Sequence, residues 1–113
     1  MDYRTITSDR QFKDSTGYSK EAFLMLLSDF EKVYKKMNGT SYESHLEENV
    51  TEAVKLKTLG DILFFVLFQL KNGLIWGSLG AVFGMRESTA HRNFDKYSQL
   101  LEQTLKKKGN AKA

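Results

Sequence analysis

Residues 76–94 read WGSLGAVFGMRESTAHRNF, and this stretch spells helix, tight turn, helix. Leu79 and Phe83 lie four apart and share one helix face. Gly80 leaves room for a second helix to cross closely. Gly84 stands where the first helix stops, because glycine adopts the left-handed conformation that ends helices. Met85 seals the corner. Ser88 and Thr89 open the next segment, and Ala90 and Phe94 return toward the core. The spacing is that of a helix-turn-helix unit, whose second helix can enter a DNA major groove. The expectation from these residues is DNA binding.

The flanking sequence supplies the body on which such a unit would sit. Upstream, Thr58 can cap a helix from Leu59 to Lys71 that is apolar nearly all round, and Asn72-Gly73 stops it. A helix of that kind belongs in the centre of a bundle. Further upstream, Thr16-Gly17-Tyr18-Ser19 is a turn with Ser19 as N-cap. It predicts a helix from Lys20 to Met37, with Ala22, Phe23, Leu26, Leu27, Phe30, Val33 and Tyr34 as its apolar face. Lys35 and Lys36 suit its C-terminal end, and Asn38-Gly39 stops it. Residues 1–14 read as an irregular or partly helical arm, docked through Phe12. The polar segment 40–57, with Glu43, Glu47, Glu48 and Glu52, is expected to be a loop with a short helix from Ser44 to Val54. Downstream, the last helix is expected from Glu87 to Lys107, with Ala90, Phe94, Tyr97, Leu101 and Leu105 as its buried stripe. Gly109 is expected to end it, leaving 109–113 as a flexible tail. The whole is an all-α bundle of about five helices, one helical domain over 15–108 with the helix-turn-helix at 76–107.

Composition agrees with that reading. A chain of 113 residues, 41% hydrophobic and 12% aromatic, is one domain able to bury a core. It has no cysteine and no proline, which excludes disulfides and thiolate metal sites and suits helices. Its two histidines, His45 and His91, do not make a metal centre. The N-terminus MDYRTITSDRQF has no apolar core of a signal peptide. The longest apolar run, Ile62 to Phe68, is seven residues, too short to span a bilayer. No membrane association is expected, and the cytoplasm is the expected location. Net charge is +3, distributed as +1 over residues 1–40, −2 over 41–85 and +4 over 86–113. Positive charge therefore gathers after the turn, where phosphates would need it.

Within that region Arg92 is the leading candidate. It lies one helical turn past Ser88 and off the Ala90–Phe94 stripe. Its guanidinium could bridge guanine O6 and N7 or pair with phosphate; the alternative is a salt bridge to Glu87 or Asp95. His91, on the same outward arc, is a donor to base or phosphate, or an ordinary surface histidine. Ser88 and Thr89 are phosphate or base-edge partners, or one of them caps the helix. Arg86 in the turn and Lys96 on the outward side are phosphate contacts. Asn93 can read adenine but lies near the edge of that face. Trp76 and the run 62–68 read as core. Lys106, Lys107 and Lys108 either track phosphate or solubilise the end.

The ordered set of these pieces resembles the N-terminal helix-turn-helix region of DDE-type insertion-sequence transposases. The resemblance rests on Thr16-Gly17-Tyr18-Ser19-Lys20-Glu21-Ala22-Phe23, the apolar helix after Thr58, the turn Leu79-Gly80-Ala81-Val82-Phe83-Gly84-Met85, and the helix opening Ser88-Thr89-Ala90-His91-Arg92. It covers roughly residues 12–105 and implies recognition of the ends of a mobile element in double-stranded DNA. Family members continue into a catalytic RNase H-like domain that this chain does not contain, so the chain is not expected to cut or join DNA. The chain departs from the family at Ile75, where a polar cap is usual, at Gly77, and at Asn93, where an apolar residue is usual.

Two other readings stay open: a transcriptional regulator using the same motif, and a helical protein-interaction module. No nucleophile–base set, phosphate loop or metal-ligand cluster points to an enzyme, and no cofactor or small-molecule substrate is expected. The stretch Tyr97–Lys107 either packs within the bundle or pairs with a second chain as a homodimer.

Overall fold

Ser8, Ser19 and Thr58 each turn a side-chain oxygen to the backbone N–H three residues on, at Gln11, Ala22 and Asp61, and so start the first three α-helices. In the computed structural model, which describes residues 1–39, 42 and 56–112 (side chains to Lys107), these are α1 (Asp9–Thr16), α2 (Lys20–Asn38) and α3 (Leu59–Asn72). Two more follow, α4 (Trp76–Phe83) and α5 (Glu87–Lys112), and a single 3-10 turn, Tyr3–Thr5, precedes α1. The described residues hold no strand, and the molecule is an all-α bundle. No helix among them is long and apolar enough to cross a membrane. The short helix expected over 44–54 lies outside the described residues.

The centre of the bundle is α3. Ile62, Leu63, Phe64, Phe65 and Val66 are all but inaccessible to solvent, because neighbours cover the helix on every side. Phe12 of α1 meets Phe64 and Phe23, with ring centroids 5.8 and 5.1 Å apart. Phe23, Leu26, Phe30, Val33 and Tyr34 bury the face of α2, while Ala22 and Leu27 are half-buried. Burying each such large apolar side chain stabilises the fold by about 1.5–3 kcal/mol before the entropy of ordering is counted. Leu70 departs from the all-round apolar reading and is exposed. Gln69 beside it is buried instead. Its amide donates to the Leu74 carbonyl (2.7 Å) and accepts from the Leu74 N–H (3.1 Å), so it pairs both polar groups of the link into α4.

The N-terminal stretch belongs to this core. Arg4 donates to Asp61 and to the Thr58 hydroxyl, each at 2.9 Å. Thr58 and Asp61 form a reciprocal capping box at the start of α3. Tyr3 stacks on Phe64 at 5.7 Å and lies so close to Gly60 that a Cβ there would overlap its hydroxyl. At the other end of α3, Asn72 donates to the Ser15 carbonyl (3.1 Å) and holds α1 in place.

Two expectations for α5 need correction. Leu105 is exposed, and the buried stripe runs Ala90, Tyr97, Leu100, Leu101 and Thr104, with Phe94 half-buried. Burial of Thr104 costs little because its hydroxyl donates to the Leu100 carbonyl at 2.9 Å. The helix also continues past Gly109 to Lys112. A glycine inside a helix costs only about 1 kcal/mol relative to alanine, too little by itself to end one.

Candidate nucleic-acid interface

The corner between α4 and α5 follows from two glycines. Gly84 has φ of 71°, a left-handed conformation that costs other residues energy, and it reverses the chain. Gly80, one turn earlier, is in contact with the backbone of the turn itself. A Cβ there would overlap the Met85 carbonyl oxygen and approach the Arg86 carbonyl to 3.3 Å. The Met85 N–H donates back to the Gly80 carbonyl at 2.8 Å. The close approach that Gly80 permits is therefore made by the turn. Leu79 and Phe83 anchor α4, with Phe83 edge-on to Phe65 and Phe68 at 5.0 and 5.5 Å.

α5 opens at Glu87. Its first intrahelical bond runs from the Ala90 N–H to the Arg86 carbonyl (2.9 Å), so Arg86 occupies the cap position. Neither Ser88 nor Thr89 caps the helix, because both stand inside its first turn. Among the described residues their hydroxyls make no hydrogen bond; Ser88 is exposed and Thr89 half-buried. Glu87, at the positive end of the α5 dipole, holds a carboxylate oxygen 3.9 Å from where a Cβ of Gly77 would stand. Ile75, at the cap position of α4, provides no side-chain hydrogen bond and is 77% exposed.

Along the outward side of α5, the pairing of charges differs from the sequence alternatives. Asp95 faces His91, with Nε2 and Oδ2 3.4 Å apart. Arg92 is exposed and, like Arg86, is in no ion pair among the described residues. Lys96 is exposed with its ammonium 5.2 Å from the centre of the Tyr97 ring. Asn93 turns away from this side: it is half-buried, and its amide nitrogen lies 3.8 Å from Met85 Sδ, a weak contact that ties α5 to the turn. Among the described residues, Arg86, Ser88, Arg92 and Lys96 are thus the sequence candidates left exposed without a hydrogen bond or ion pair. Thr89 and Asn93 are partly withdrawn.

Trp76, read from sequence as core, has a second part. Its ring is half-buried against Phe94 (5.5 Å) and also lies under His91, near-parallel at 24° with centroids 4.6 Å apart. This contact crosses the turn from the first residue of α4 to the second turn of α5, and no periodicity in the sequence announces it. Among the described residues no group of three His, Cys, Asp or Glu side chains is placed to hold a metal ion. No protein-family model, curated protein or solved structure matches the chain.

Proposed function

We infer that the chain is a double-stranded DNA-binding module of helix-turn-helix type, with the start of α5 as its reading element, similar in role to the end-recognition part of a transposase. The observation that carries the reading is the state of Arg86 and Arg92. Both guanidinium groups stand exposed at the N-terminal end of α5, with no ion pair among the described residues, while the opposite side of the helix is fixed on the core through Ala90, Tyr97 and Leu101. Holding a helix on its apolar side and leaving cations on the other is what phosphate positioning and base readout require. Arg92 is the residue for a guanine edge; Arg86 and Lys96 serve phosphate.

Fluorescence anisotropy of a labelled mixed-sequence duplex, at low and moderate salt, tests this. Wild type should bind in a salt-sensitive manner. The joint Arg86→Ala, Arg92→Ala, Lys96→Ala variant should bind more weakly, and its log–log salt slope should flatten by about two units, one for each of the two phosphate contacts of Arg86 and Lys96. Folded wild-type protein that does not bind at low salt would refute the reading and favour a protein-interaction module.

A further inference from the structure

We propose that Trp76 and His91 draw Asp95 away from Arg92 and so keep the Arg92 guanidinium available to DNA. This rests on the DNA-binding reading above and assigns Trp76 and His91 as positioning residues of that same site. On a helix, a side chain meets those three and four positions away. For Arg92 these are Ser88, Thr89, Asp95 and Lys96, and Asp95 is the only acid among them. For Asp95 they are His91, Arg92, Ser98 and Gln99, and Arg92 is the only arginine or lysine among them. Left to themselves the two would pair, and a guanidinium held by a carboxylate is not free for guanine or phosphate.

The structure shows another arrangement. Asp95 Oδ2 stands 3.4 Å from His91 Nε2, and Arg92 is in no ion pair among the described residues. The imidazole is placed by the Trp76 ring, with centroids 4.6 Å apart and planes 24° from parallel. Trp76 is itself half-buried against Phe94 at 5.5 Å, so its position is set by packing and not by the charged surface. α4, WGSLGAVF, carries no charged residue that could take Asp95 or Arg92 for itself. An exposed ion pair one turn apart on a helix is weak, so a contact as modest as imidazole with carboxylate is enough to redirect it.

The free protein gives the first readout. The Arg92 Nε–H resonance is assigned by its absence from Arg92→Ala. It should shift in His91→Ala, where Asp95 is released, and the double variant His91→Ala, Asp95→Asn should match Asp95→Asn alone. Both side chains are at least half exposed, so neither substitution threatens the fold. Affinity for the labelled mixed-sequence duplex, at low salt and one fixed pH, gives the second readout. His91→Ala should bind about two- to threefold more weakly than wild type, the strength of one exposed ion pair that must first be broken. In the Asp95→Asn background the same substitution should change nothing. Trp76→Leu, checked for wild-type helix content by circular dichroism, should resemble His91→Ala. Trp76→Phe, which keeps a ring beneath the imidazole, should bind as wild type does. If Trp76→Leu does not fold, the cycle of His91 and Asp95 variants decides alone.

An Arg92 resonance unmoved in His91→Ala would overturn the proposal. So would a loss of affinity that persists in the Asp95→Asn background, since His91 would then touch DNA itself, or Trp76→Phe binding no better than a folded Trp76→Leu. The expected resonance pattern with no duplex binding by any variant would overturn the DNA-binding reading, while leaving the hold on Asp95 established.

Discussion

Gly77 and Gly80 sit three residues apart on α4 and answer to different constraints. The nearest atom to a Cβ at Gly77 is a Glu87 carboxylate oxygen at 3.9 Å, an ordinary contact. Gly77→Ala removes unfolded-state freedom and should stabilise the protein by about 0.5 kcal/mol. At Gly80 the obstruction is the Met85 carbonyl, which is backbone and cannot rotate aside. Gly80→Ala should cost about 1–3 kcal/mol, as overpacking does. Urea midpoints of the two variants check both signs at once. Gly84 as a helix stop was legible because a left-handed residue has a strong chemical signature. The partner of Asp95 was not. Asp95 is within helical reach of both His91 and Arg92, and only the ring position set by Trp76, on another helix, decides between them.

Among the elements, α2 and α3 are the most readable, because Ser19 and Thr58 mark where they start and an Asn-Gly pair marks where each ends. The stripe of α5 was half readable. It advances by four, three, four and three residues through Ala90, Phe94, Tyr97, Leu101 and Thr104. Thr104 rather than the apolar Leu105 completes it, because a threonine hydroxyl can satisfy itself on its own helix. The α3–α4 link was hidden for a related reason: Gln69 looks like a polar interruption, yet it is buried and pairs with both backbone groups of Leu74. Gln69→Ala leaves those groups without their partner and should cost about 1–3 kcal/mol. Thermal unfolding of that variant, beside Leu70→Ala at the neighbouring exposed position, should show a large loss for the first and little change for the second. Phe83→Ala, which removes the ring joining α4 to Phe65 and Phe68, should cost about 3–5 kcal/mol.

The tyrosines tie the molecule's stability to alkaline pH. Tyr97 is 8% exposed and stands edge-on to Tyr42 at 6.3 Å, which in turn is edge-on to Tyr34 at 5.7 Å. Burial pushes the Tyr97 phenol up to about 12; the nearby Tyr34 adds to the rise, and a hydrogen bond with Tyr42 opposes it. The unfolded chain ionises near the ordinary value of 10. Stability from this group is therefore complete below about pH 10 and is lost as pH rises toward 12. Urea midpoints should fall between about pH 10 and 12 more steeply in wild type than in Tyr97→Phe. The bundle as a class was legible from caps and periodicity, whereas the Arg4 contacts to Thr58 and Asp61 were not, since they join positions more than fifty residues apart. The closure of the turn on Gly80 has a calorimetric consequence. A corner held by its own backbone is already ordered on its own, so under the proposed DNA-binding reading the heat-capacity change on association should match the apolar area of contact alone, without the larger signature of a segment that folds as it binds.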